Sequence, residues 1–156
     1  MRQAIPAIML AALAFAPASG LRGQSAEADV LKTVRQLFDG MRKGDSSMVR
    51  AAFHADAALF TTMVRDGKTV VRKDSVEGFV KAVGTPHNDV WDERIWNEKV
   101  FIDGPLASLW LDYAFFLGPK FSHCGVDAFT LAKVPDGWKI IALADTRRQE
   151  SCKQGP

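Results

Sequence analysis

Apolar positions from Val30 onward recur at Val30, Leu31, Val34, Leu37, Phe38 and Met41. That spacing puts them on one face of a helix. Gly44 is expected to end it, and Asp45 or Ser46 to cap a short second helix through Phe53, with Met48, Val49 and Phe53 apolar. The pattern then turns strand-like over "HADAALFTTMV", with a tight-turn signal at Asp66-Gly67 and "KTVV" after it, so a hairpin is expected. "KDSVEGFVKAVG" reads as a third helix. Val76, Phe79, Val80 and Val83 share its apolar face, Asp74 and Glu77 are spaced as a capping box, and Gly84 with Pro86 stops it. Four strand-like runs follow, roughly 89–102, 106–117, 120–134 and 138–147, with turns at Asp103-Gly104-Pro105, Gly118-Pro119 and Pro135-Asp136-Gly137.

Helices first and an antiparallel meander afterwards give an α+β domain. No βαβ alternation, Gly-rich phosphate loop or internal repeat is present. The chain of 156 residues is one domain's worth, and its net charge of +2 comes without a basic stripe. Nucleic acid is therefore not an expected partner. The charged segment "TRRQESCKQ" reads as a solvated tail, with 151–156 outside the domain.

The first two dozen residues differ in kind. Arg2, an apolar run from Ile5 to Ala16 and the small residues Ala18, Ser19 and Gly20 have the three regions of a secretory signal peptide. Residues 1–24 are read as a cleaved leader, the run being short for a membrane span. No stable membrane anchor is expected after cleavage, and the protein is expected to be periplasmic or secreted. An uncleaved anchor is the alternative. In an oxidising compartment Cys124 and Cys152 are candidates for one disulfide, since the hairpin register puts Cys124 opposite Arg148 or a residue either side. Two free thiols, or a bridge between chains, are the alternatives.

"GD" at 44–45, "FHADAALF" at 53–60, "KDSVEGFV" at 73–80 and "DGWKIIALADTRR" at 136–148 carry a resemblance to the nuclear transport factor 2-like superfamily. This is the superfamily of the SnoaL-like and ketosteroid-isomerase-like proteins. The resemblance spans residues 27 to 147 and is closest to exported members described as "putative lumazine-binding". It implies a domain over residues 25–150: a cone-shaped, curved antiparallel sheet with the helices packed on its concave face and a pocket between them. The superfamily holds isomerases, dehydratases, cyclases, epoxide hydrolases and pure binders, so fold does not fix function. In ketosteroid isomerases a carboxylate base lies on the first strand. The matching position here is Thr61, whose hydroxyl is no base at neutral pH, so that activity is not expected.

Candidate chemistry centres on "KFSHCGVDAF" at 120–129. Alternation puts Phe121, His123, Gly125, Asp127 and Phe129 on one face. His123 and Asp127 are then about 13 Å apart at ~3.3 Å per residue, too far for a direct dyad. A two-residue turn at Gly118-Pro119 would place Phe116, Asp112 and Trp110 opposite Phe121, Gly125 and Asp127. Asp112 would then lie between His123 and Asp127, on a pocket floor walled by Trp110, Phe116 and Phe121. An imidazole beside a carboxylate can act as general base. On the last strand Asp145 faces Asp127, and Arg147 is available to neutralise it. Three arrangements stay open: a pocket floor, a polar outer or dimer face, and a metal site built from one His and two Asp.

The functional expectation is an exported binder of a small apolar or aromatic ligand, with no cofactor. A cofactor-free lyase, isomerase or hydrolase using His123 with Asp112 or Asp127 is the second reading. A dimerising interaction module, with a homodimer through the sheet, is the third.

Overall fold

The computed structural model describes residues 19–153 and residue 155. The expected leader lies outside these residues up to position 18, and α1, Ser19–Lys43, begins within its remainder. α2 spans Ser46–Ala52, β1 Phe53–Arg65, β2 Lys68–Asp74 and α3 Val76–Gly84. β3 runs Trp91–Asp103, β4 Leu106–Leu117, β5 Lys120–Val134 and β6 Gly137–Arg147.

Val30, Val34, Leu37, Phe38 and Met41 are all buried on one side of α1, as their spacing requires. Gly44 follows at φ +66°, the left-handed conformation that releases a helix end without a Cβ clash. Asp45 caps α2 by accepting a hydrogen bond from Met48 N at 2.9 Å. The cap of α3 is Ser75, whose Oγ accepts from Gly78 N at 3.0 Å. The capping box expected at Asp74 is thus displaced by one residue. Asp74 still belongs to β2 and pairs with Arg72 at 2.9 Å.

The six strands form a curved, unclosed sheet in the order β2-β1-β6-β5-β4-β3. The meander β3 to β6 is antiparallel throughout, but β1 joins β6 in parallel, with Leu59 opposite Leu143 and Thr61 opposite Asp145. The expectation of a wholly antiparallel sheet is corrected there. Turn residues encode neighbours in the chain, and the β1–β6 pairing joins its two ends. All three helices contribute to a core that includes Leu109, Leu111, Tyr113, Phe129, Leu131 and Ile140, so they cover one face of the sheet. Phe38 meets Phe129 edge to face at 6.1 Å. Arg42 on α1 reaches Asp92 on edge strand β3 at 3.0 Å.

The register of β4 against β5 departs from a plain hairpin. Leu117 pairs with Lys120 and Phe116 with Phe121, as a two-residue turn dictates, but Phe115 then pairs with His123. Ser122 is the extra residue of a β-bulge. Past it the partners are Ala114–Cys124, Tyr113–Gly125, Asp112–Val126 and Leu111–Asp127. His123, Gly125 and Asp127 therefore share the helix-covered face with Tyr113 and Phe115, while Phe121 stays on the other face with Phe116 and Cys124. Gly125 leaves no gap. A Cβ built there would lie 1.8 Å from Thr146 O and 2.8 Å from the Tyr113 ring.

β5 and β6 continue into an isolated bridge between Cys124 and Arg148, with N···O distances of 2.9 and 3.0 Å. The chain then turns back, and Cys124 is bonded to Cys152 with Cα atoms 5.8 Å apart. The bridge sits in a small second cluster of Trp96, Ala114, Phe116 and Phe121.

Gly125→Ala is expected to destabilise the domain by roughly 2–4 kcal/mol, because backbone, not a flexible side chain, blocks the new methyl. Urea denaturation of the variant checks this. Cys152→Ser is expected to cost about 2–4 kcal/mol through the freed loop while the fold is retained. Thermal unfolding with and without reductant should reproduce that loss in the parent protein and show none in the variant.

Candidate functional site

Between the helices and the covered face of the sheet lies a cavity of about 550 Å³. Its apolar walls come from Leu37, Phe38 and Met41 of α1, Leu59 of β1, Phe79 of α3, and Trp91, Phe115 and Leu143 of the sheet. Trp91 and Phe115 meet edge to face at 6.1 Å. The polar lining includes Glu93, Tyr113, His123, Asp127, Asp145 and Arg147, on four adjacent strands. Thr61, 3% exposed, lines the cavity beside them.

Several of the polar groups pair with one another or with neighbouring backbone. Arg147 Nε donates to Asp145 Oδ2 at 2.9 Å. The Tyr113 hydroxyl lies 2.9 Å from Thr146 O and 3.2 Å from Asp145 Oδ2, sharing one proton between two acceptors. His123 Nδ1 is 2.9 Å from Ser122 Oγ, and its ring packs on Phe115 at 5.1 Å. Asp127 is 3% exposed, and its Oδ2 has no hydrogen-bond donor among the described residues. Its neighbour is the Glu93 carboxyl, another acceptor. A buried carboxyl in contact with a part-buried one favours a proton between them.

The titration of the group follows from this placement. Burial, then the nearby Glu93 and Asp145 charges, pushes the Asp127 carboxyl well above the usual carboxylate range. Burial also lifts Glu93, to about 7, with the Asp145 charge adding to the rise and the contact with Asp127 opposing it. Burial lowers His123 to about 4, and the Arg147 charge adds to that effect. At neutral pH the imidazole is therefore uncharged and a weak base. It is suited to hydrogen bonding, and the base role expected for it is not supported by its surroundings. The group raised towards neutrality is the Glu93–Asp127 pair.

Of the residues singled out in the sequence, His123, Asp127, Asp145 and Arg147 line this cavity, and Asp127 stands opposite Asp145. Asp112, Trp110, Phe116 and Phe121 do not. The bulge at Ser122 gives them the opposite face. There Asp112 accepts from Asn97 Nδ2 at 2.7 Å, and Trp110 is 51% exposed. Phe116 and Phe121 pack on each other at 5.7 Å in the second cluster. Tyr113 and Glu93 were missed. Tyr113 alternates with Leu109, Leu111, Phe115 and Leu117 on an apolar face, and "WDERIW" offers no signal that one of its charges turns inward. Among the described residues, no group of three or more His, Cys, Asp or Glu is arranged to hold a metal ion.

Residues 25–144 match the model of a family described as "Putative lumazine-binding". The chain belongs to this family. Its fold is similar to that of solved nuclear transport factor 2-like proteins. A nuclear transport factor 2-like protein of unknown function from Shewanella baltica is 19% identical over 81% of this chain and 97% of its own, with a TM-score of 0.64. One from Novosphingobium aromaticivorans with a cystatin-like fold is 12% identical over 86% and 90%, with a TM-score of 0.65. A protein from Streptomyces avermitilis described as a "putative dehydratase" of the nuclear transport factor 2-like family is 15% identical over 82% and 99%, with a TM-score of 0.62. At these identities the likeness is one of fold. No curated protein matches the family member.

The pH dependence of stability follows from the two opposed shifts. A carboxyl raised in the folded state holds its proton more tightly there. Glu93 thus stabilises fully below its ordinary 4.5, and that contribution is lost as pH rises through about 7. His123 acts the other way, losing its contribution as pH falls from 6.5 towards about 4. Glu93→Gln, which offers Asp127 an amide donor, is expected to raise the melting temperature at about pH 8 and leave it nearly unchanged at about pH 5. Calorimetry of both proteins across that range is the check.

Proposed function

We propose that this is an exported small-molecule-binding protein whose ligand occupies the cavity between the helices and the concave side of the sheet. The observation that carries this reading is the cavity of about 550 Å³, aromatic-walled and polar at one end, a size suited to a small flat molecule. Leu59, Phe79, Trp91, Phe115 and Leu143 would hold the body of the ligand. His123, Asp127, Tyr113, Asp145 and Arg147 would meet its polar edge. Lumazine, which the family description names, is flat and heteroaromatic with N–H and C=O edges, and is the first ligand to try.

Export rests on the leader-like residues 1–24 and on the Cys124–Cys152 bridge, which an oxidising compartment such as the periplasm or cell exterior favours. The mature domain would then run over residues 25–150, with 151–156 as a tail tied back by Cys152. Binding in this reading needs no cofactor, nucleic acid or membrane anchor. A homodimer would use the uncovered face, where Trp110 is 51% and Phe101 67% exposed. A second reading, a cofactor-free lyase, isomerase or hydrolase, is favoured by one observation: a Glu93 carboxyl raised to about 7 in contact with Asp127. In that reading the carboxyl pair, rather than His123 with Asp112, moves the proton.

Native mass spectrometry of protein recovered from its own export compartment tests the proposal. A bound small molecule is expected in the parent protein and none in Leu143→Trp, which fills the cavity. A ligand retained in that variant would move the site elsewhere. His123→Ala is expected to weaken binding by about 10-fold with little loss of stability, and Asp112→Ala to leave binding unchanged. Titration and thermal unfolding of the same two variants check this.

A further inference from the structure

We propose that Glu93 and Asp127 select the ligand by charge and hydrogen-bonding sense. The cavity takes a flat, largely apolar molecule that is neutral or cationic and presents an N–H or O–H donor, and it disfavours carboxylates and phosphates. This deepens the binding reading above and rests on it.

Charged groups of both signs line the cavity. Two guanidinium groups and four carboxyls do so: Arg72 and Arg147 against Asp74, Glu93, Asp127 and Asp145. Each arginine is committed to an aspartate two residues away, Arg72 to Asp74 and Arg147 to Asp145, both at 2.9 Å. Among the described residues no cation pairs with Glu93 or Asp127. Asp127 is buried to 3% exposure beside the Glu93 carboxyl, and with one proton between them the two groups still present more acceptor oxygens than donors at the polar end of the cavity. A bound molecule that supplies a donor to those oxygens makes a hydrogen bond the free protein lacks. An anion would supply no donor and would set a further negative charge beside two carboxyls.

The neighbours do not reverse this preference. The Tyr113 proton is already shared between Thr146 O and Asp145. His123, on the same strand as Asp127, is uncharged near neutral pH and packed on Phe115. Thr61 adds a hydroxyl but no charge.

Three acridines of matched shape separate the possibilities by fluorescence titration near neutral pH: acridine itself, the donor-bearing cation 9-aminoacridine, and the anion acridine-9-carboxylate. The expected result is that 9-aminoacridine binds at least about 10-fold more tightly than the carboxylate. Leu143→Trp should abolish the binding of both, which ties it to the cavity. Glu93→Gln/Asp127→Asn should erase the difference between cation and anion while acridine still binds. Both substitutions preserve shape, and Glu93→Gln alone should narrow the difference if the double variant does not fold. Equal or tighter binding of the carboxylate overturns the inference and leaves the binding reading standing. A preference for the cation that survives in the variants overturns it too, because another group would then be selecting. Failure of all three acridines to bind counts against the binding reading itself and removes the inference with it.

Discussion

Ser122 sets the parity of β5. One extra residue between Phe121 and His123 shifts every later side chain to the opposite partner on β4. Without it His123 and Asp127 would stand among Ala114, Asp112 and Trp110. With it they stand among Phe115, Tyr113 and Leu111, on the face the helices cover. The bulge also leaves Cys124 on the other face, among Phe116, Phe121 and Trp96, in the small cluster that holds the disulfide. The cavity chemistry and the anchoring of the C-terminus both depend on that residue. Gly125 and Tyr113 hold the register beyond it. The Thr146 carbonyl fills the space where any Cβ at position 125 would go, and the Tyr113 hydroxyl donates to that carbonyl.

Placing polar groups on a core-facing surface has an energetic cost, and the protein meets it unevenly. Asp145 is offset by Arg147 and Tyr113. Asp127 is left facing Glu93, so the pair must keep a proton near neutral pH. A domain selected for stability alone would put apolar residues of similar volume there. Retaining two carboxyls in contact at the end of an aromatic cavity fits a site shaped by what it holds. The same burial that raises the carboxyls lowers His123, so one environment moves acid and base in opposite directions and leaves the carboxyl pair as the group poised near neutrality.

Local chemistry made most of the elements legible. The spacing of Val30, Val34, Leu37, Phe38 and Met41, the cap at Asp45, and the turns at Asp66-Gly67, Gly118-Pro119 and Asp136-Gly137 act over a few residues, and such short-range signals give element type and approximate bounds. The opposition of Asp127 to Asp145, and of Cys124 to Arg148, matches a count from a three-residue loop only because Val134 pairs with Gly137 instead of Trp138 and a register shift between Thr130 and Leu131 restores the same partners. The same counting failed between β4 and β5. A bulge is a choice between two nearly equal pairings, decided by which face can be buried, and Ser122 carries no local mark of it.

The sequence by itself determined the α+β class, the helix-then-meander order and the family, because each rests on periodicity, turn residues or motifs of short span. Only the tertiary structure decided that β1 runs parallel to β6, that Asp112 and Trp110 face away from the cavity, and that Glu93 and Tyr113 face into it. Those facts depend on which surfaces meet when distant segments pack. A charged residue such as Glu93 in "WDERIW" becomes a part-buried neighbour of Asp127 only once β3, β4 and β5 lie side by side.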